Sequence, residues 1–93
     1  IWYGNWNQGN GSDTSAGQQI VRDFVNAVGG SPYFNINSSY STNGFNITGG
    51  VNNGGETTDA YSRGTRLKDS GVLGVVNDAI TSSRLPYNAN GVY

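Results

Sequence analysis

Residues 15–30 read Ser-Ala-Gly-Gln-Gln-Ile-Val-Arg-Asp-Phe-Val-Asn-Ala-Val-Gly-Gly, and this stretch decides what kind of fold the chain can have. Ser15 suits an N-cap. Three residues on, Gln18 can reach back to the cap's backbone N–H while the Ser15 hydroxyl accepts from the first turn, the reciprocal bonding of a capping box. Ile20, Val21, Phe24, Val25 and Val28 fall on one stripe of a 3.6-residue helix, and Gln19, Arg22, Asp23 and Asn26 take the wet side. Gly29 is expected to supply the left-handed residue that ends the helix, with Gly30 confirming the stop. Such a helix needs a flat apolar surface to lie on, and Phe24, the largest side chain in mid-stripe, is expected to anchor it there.

Upstream, Ile1-Trp2-Tyr3-Gly4-Asn5-Trp6 combines aromatic and branched residues that suit a buried, pleated surface, so a strand is expected. The two Trp rings serve as core in that reading; the other use of Trp2 and Trp6 is a sugar-stacking platform. Residues 7–14 are a turn-rich loop hinged at Asn10-Gly11. Downstream, Ser31-Pro32 is a cap followed by the residue favoured at the first helical position. One or two helical turns up to Tyr40 and a strand over Phe45 to Val51 are expected, with a hairpin through Asn43-Gly44 as the rival reading. Residues 52–58 read as an exposed loop.

A second helix is expected after a cap at Asp69 or Ser70, with Val72, Leu73, Val76, Ala79 and Ile80 as its apolar stripe up to about Ser83. Gly71 and Gly74 weaken it and instead permit close packing. Pro86 ends the segment, Asn90-Gly91 turns it, and Gly91-Val92-Tyr93 reads as the first residues of another strand. The order is therefore β-α-β-α-β. It predicts an α/β layer whose small sheet is mainly parallel and carries two amphipathic helices, incomplete as an isolated domain, because parallel strands need crossover helices.

The composition restricts the chemistry. A chain of 93 residues buries only roughly 60–65% of its unfolded surface. It has no Cys and no His, so neither disulfides nor a His- or Cys-based zinc site can staple it, and Ser-His-Asp and Cys-His nucleophile systems are excluded within it. Cofactors are not expected. Charged residues make up 12% against about 25% in ordinary domains, while there are 15 Gly and 13 Asn, so the surface is neutral and rich in amides and hydroxyls. A net charge of −1 offers no clustered cations for nucleic acid or an anionic membrane. No apolar run approaches the roughly 20 residues of a membrane span. The start at Ile1 fits a mature, processed N-terminus.

Among the carboxylates only Glu56 and Asp59 lie close together on an expected loop. A glycosidase pair or oxygen ligands for Ca²⁺ are the sharp readings, and a solvated loop with a helix-capping Asp is about ten times better favoured. Ser62-Arg63 before Gly64 has neither an adjacent base nor a phosphate-loop pattern. Three N-glycosylation acceptors occur, at Asn10, Asn37 and Asn46, where this composition gives about 2.4 by chance. Asn10, in its turn-rich loop, is the favoured one.

Several pieces resemble one family. Tyr3-Gly4-Asn5-Trp6, Gln19-Ile20 to Phe24, Ser31-Pro32-Tyr33-Phe34 with Tyr40, Asp59 through Tyr61-Ser62-Arg63-Gly64 with Leu67, Ala79-Ile80, Leu85-Pro86 and Gly91-Val92-Tyr93 are collinear with the EXORDIUM, or phosphate-induced protein 1, family. Tyr33-Phe34 stands where plant members tend to have paired Trp, which marks a divergent member. The resemblance implies a protein secreted to the cell wall or extracellular space. It further implies that the chain is the N-terminal layer of a longer protein whose Cys-containing region and His-Glu helix lie beyond Tyr93, so no catalytic residue is carried over.

Three functions follow as expectations. The first is a secreted, non-catalytic structural glycoprotein of the cell wall or matrix, whose partners are copies of itself or a further piece of the same protein. The second is a carbohydrate-binding module using Trp2, Trp6, Tyr33 or Tyr61 with neighbouring amides, the partner then being a polysaccharide. The third is the non-catalytic part of a metallopeptidase-like hydrolase. An apolar edge along Ile1 to Trp6 and at Val92-Tyr93, left open at the end of the sheet, is expected to take up another chain, in the extreme as a head-to-tail filament.

Overall fold

The computed structural model describes residues 1–93 as a mixed α/β chain with three helices, one two-stranded parallel sheet and one two-stranded antiparallel sheet. It divides into two compact units. The first comprises residues 1–14 and 54–93, the second residues 15–53.

In the first unit, strand β1 (Trp2–Tyr3) pairs in parallel with a strand from the far side of the sequence, Thr58–Asp59. The Trp2 N–H donates to the Thr57 carbonyl at 2.9 Å and the Gly4 N–H to the Asp59 carbonyl at 2.7 Å. Parallel pairing needs a long crossover, and the whole second unit is threaded into it. Gly4 follows at φ +111°, a backbone that side-chain-bearing residues rarely adopt. A Cβ there would also meet the Tyr61 ring at 3.1 Å, so Gly at this position is required twice over.

The helix Asp69–Thr81 supplies this unit's core: Val75, Ala79 and, just past its end, Leu85 are the chain's buried apolar side chains. The expected stripe holds toward the C-terminal end, where Ala79 is fully buried and Val76 and Ile80 are partly covered, but not at its start. Leu73 is 71% exposed and Val72 is exposed as well, whereas Gly71, Gly74 and Asp78 stand partly covered beside Val75 and Ala79. The reason is close approach. At Gly74 a Cβ would lie 2.5 Å from Cζ of Arg63, whose guanidinium crosses the helix to reach Asp78 at 2.6 Å. The helix starts after Lys68, which makes no side-chain cap bond, rather than after a cap at Asp69 or Ser70; Asp69 lies in the first turn, where the helix dipole favours a carboxylate. Its C-terminus closes by a Schellman arrangement, Ser83 N–H to Ile80 C=O at 3.0 Å and Arg84 N–H to Ala79 C=O at 2.9 Å. Ser83 itself sits at φ +57°.

No strand forms at residues 91–93. The Tyr93 hydroxyl donates to the Pro86 carbonyl at 2.7 Å and accepts from the Asn88 N–H at 2.7 Å, so this tail curls back into turns instead of offering the expected open edge.

The second unit opens with α1 (Ser15–Val28), a helix of 14 residues in which Ser15 is the first helical residue rather than the cap. α1 ends at a pair of glycines whose roles are the reverse of those expected. Gly30 holds the left-handed backbone at φ +77°, with its N–H on the Gly49 carbonyl at 2.7 Å. Gly29 is there for space, since a Cβ would fall 2.7 Å from the Val51 backbone nitrogen.

Ser31 then caps a short helix, α2 (Pro32–Asn35), accepting from the Phe34 N–H at 3.2 Å, and a 3₁₀ turn over Ile36–Ser39 continues it. The helical reading holds up to Ser39, so the alternating run from Phe34 to Tyr40 is not a hairpin strand; the turn at Asn43-Gly44 does form, both residues at positive φ as a tight hairpin turn requires, but it joins only β2 (Ser41–Thr42) and β3 (Phe45–Asn46). The expected strand over Phe45 to Val51 stops after two residues. The strand Thr58–Asp59, in the first unit, is β4, and the helix Asp69–Thr81 is α3.

α1 does not lie on a sheet. Ile20 is 71% and Phe24 61% exposed, Val21 is exposed too, and Val25 and Val28 are only partly covered. Phe24 therefore does not anchor the helix in a core. The physical reason is plain: the unit's own strands form a two-residue hairpin, too small to cover three turns of helix.

Candidate functional site

Two constellations stand out, one in each unit. In the first unit, β1 brings an aromatic corner together. Trp2 and Trp6 meet edge to face, with ring centroids 5.0 Å apart and planes at 72°, and the Trp2 indole N–H donates to the Glu56 carboxylate at 2.7 Å. Both rings are half-buried. Crossed at that angle they offer no flat two-ring platform for a pyranose.

Tyr3 meets Tyr61 in the same manner, at 5.7 Å and 88°. The Tyr3 hydroxyl accepts from the Arg63 N–H at 2.9 Å and donates to the Gly64 carbonyl at 2.7 Å, stapling the turn after β4 to β1. Asp59 completes that turn. Its buried carboxylate accepts from the Ser62 N–H at 2.8 Å and from the Ser62 hydroxyl at 2.7 Å. The Ser62 hydroxyl and then its N–H hold the Asp59 carboxyl below its usual range, Arg84 and Arg63 push the same way, and burial opposes them.

Glu56 and Asp59 are thus taken up by different partners, the indole of Trp2 and the turn at Ser62. Asp59 is a buried turn-former and not a solvated loop residue. The Asp-x-x-Ser spacing from Asp59 to Ser62 carries that signal in the sequence, since a side-chain oxygen readily accepts from an N–H a few residues on. Tyr3, Gly4, Asp59, Tyr61, Ser62, Arg63 and Gly64 together build this corner.

The remaining candidate residues are scattered. Tyr33 belongs to the other unit, on α2, and is 76% exposed. In the loop after β1, Asn10 accepts from the Ser12 and Asp13 N–H groups and donates its amide to Asp13 at 2.7 Å, so the nitrogen a glycan would occupy is engaged in holding the loop. Asn37 is partly buried and donates to the Phe34 carbonyl at 3.0 Å, while Asn46 stands exposed on β3.

The second constellation is apolar, and it fills the second unit. No residue between 15 and 53 is buried. Ile20, Val21, Phe24, Tyr33, Ile36, Tyr40, Phe45 and Ile47 are all exposed, Phe45 by 80%. Along α1 the outermost line is Ala16, Ile20, Phe24 and Ala27, every one exposed. At 100° per residue these four span an arc of about 80°, a continuous ridge. The sequence reading followed the bulky stripe and passed over the two alanines that extend the ridge at either end.

No family model matches the chain, and no curated protein or solved structure matches it. No helix is long and apolar enough to cross a membrane.

Proposed function

We propose that this chain is a non-catalytic structural component of an extracellular matrix or cell wall, working by assembly with copies of itself or with a further piece of the same protein. The single observation that carries the reading is the second unit's lack of any buried residue while eight large apolar side chains stand exposed. Exposed apolar patches of this extent mark interaction surfaces. With a net charge of −1 and 12% charged residues, neighbouring copies meet at little electrostatic cost. The same observation supports incompleteness as an isolated domain, and a fuller β-α-β-α-β layer is one that added strands would complete.

The extracellular address rests on the amide- and hydroxyl-rich composition and on the resemblance to the EXORDIUM family. Glycan, if carried, belongs on the exposed Asn46 before Asn10 or Asn37, whose amides are already bonded.

Fractionation of the native source tests the function: the protein is expected in the wall or matrix fraction, extracted as oligomers, with a glycopeptide at Asn46. A cytoplasmic, monomeric and unmodified protein would overturn the reading.

A further inference from the structure

We propose that α1 is a self-pairing helix: two copies of the chain dock antiparallel along the ridge Ala16-Ile20-Phe24-Ala27, with Ile20 of each against Phe24 of the other. This rests on the assembly reading above and gives it an interface.

The ridge is close to a palindrome. Read in either direction it runs small, large, large, small, with spacings of four, four and three residues one way and three, four and four the other. In an antiparallel pair the positions 20 and 24 face each other about a midpoint at residue 22, and 16 faces 27 about a midpoint only half a residue away. One two-fold axis therefore satisfies both pairs, as an isologous interface demands. The alanines at the ends let the two backbones approach while Ile20 and Phe24 fill the middle. No comparable symmetry would be needed to receive an unrelated partner.

Charge and area both fit a second copy. The second unit holds one cation and one anion, Arg22 and Asp23, and has no net charge, so a strongly charged partner has nothing to grip and two copies carry no net charge against each other. Its four exposed aromatics, Phe24, Tyr33, Tyr40 and Phe45, present roughly 550 Å² between them at 150–250 Å² for a whole side chain. Ile20, Val21, Ile36 and Ile47 bring the apolar area of the unit near the ~800 Å² per partner of a standard interface. Covering α1 alone would fall short, so the proposed interface requires the helical turns and the hairpin to contribute as well.

Sedimentation velocity of the whole chain across the micromolar range tests the pairing together with two variants. The parent is expected to dimerise. F24E, which places a carboxylate in the ridge, is expected to weaken dimerisation at least about thirtyfold, the loss that marks an interface hot spot. L73E, at a side chain of α3 that is equally exposed but lies in the other unit, is expected to leave it unchanged. Orientation is read from single cysteines in this cysteine-free chain. A mixture of I20C and F24C should oxidise chiefly between unlike chains, where a parallel pair would join like to like. A parent monomeric at every concentration overturns both the assembly reading and this interface. A dimer indifferent to F24E, or one that cross-links like to like, overturns the α1 pairing and leaves self-assembly standing.

Discussion

Asp59 shows how a single side chain can hold one end of the molecule. Its carboxylate gathers two donors from Ser62, and its carbonyl accepts from the N–H of Gly4 just past β1, so one residue ties the turn to itself and the turn's strand to its neighbour. Because the folded carboxyl is held below its ordinary value near 3.9, its contribution to stability is full above that pH and is lost as pH falls through the folded value. Asp59→Asn keeps the shape but gives up the charge, and is expected to cost about 1.5 kcal/mol at pH 7, the lower end for hydrogen bonds to a charged group since Ser62 stands exposed. Melting curves of the parent and variant from pH 7 down to pH 2 decide it: the gap should stay constant to about pH 4 and narrow below. A gap unchanged at the acid end would mean that the charge contributes nothing. At this scale the signal is present in the residue types, a Gly at positive φ and an Asp three residues before a Ser, but the turn-rich surroundings point Asp59 to a solvated loop and leave its turn with Ser62 unread. What was not legible was long-range partnership, such as Trp2 with Glu56, 54 positions apart.

α1 and α3 are the two elements that periodicity found, and in both the helix forms while only part of its expected apolar stripe is covered. In α3 the packed side is built around Val75 and Ala79 beside Gly71 and Gly74, small residues that add nothing to a hydrophobic stripe yet allow Arg63 to cross. The start of the stripe, Val72 and Leu73, therefore faces solvent, while its later residues Val76, Ala79 and Ile80 are covered. In α1 the stripe itself is real, but the surface meant to receive it is missing from the second unit. Between Pro32 and Ile47 the helical signal at Ser31-Pro32 outweighs the alternation of Phe34 to Tyr40, and of the expected hairpin only the turn at Asn43-Gly44 with two residues on each side forms. The end of α3 offers a direct test of element-level reading. Ser83 occupies the left-handed position of the Schellman closure at φ +57°, where a Cβ costs about 1 kcal/mol and Gly costs none. Ser83→Gly is expected to stabilise the chain by roughly that amount, raising the melting temperature by about 4–8 °C for a domain of this size. No rise, or a fall, would show that the closure is not what ends the helix.

At the scale of the whole molecule, the contrast between the units governs behaviour. Residues 1–14 and 54–93 contain every buried residue, with Val75, Ala79 and Leu85 at the centre, while residues 15–53 contain none. A segment in which no residue is fully buried offsets little of the entropy of ordering its backbone, which runs to about 1–2 kcal/mol per residue. It gains order when its apolar side chains are covered, and in the proposed assembly that cover comes from another copy. Concentration-dependent hydrogen exchange reads this most directly. Amide protons of α1 from Ile20 to Val28 are expected to exchange fast in dilute solution and to gain protection as concentration rises through the dimerisation range, while those of α3 stay protected throughout. Protection of α1 that is the same at every concentration would contradict the claim that a second copy completes this fold.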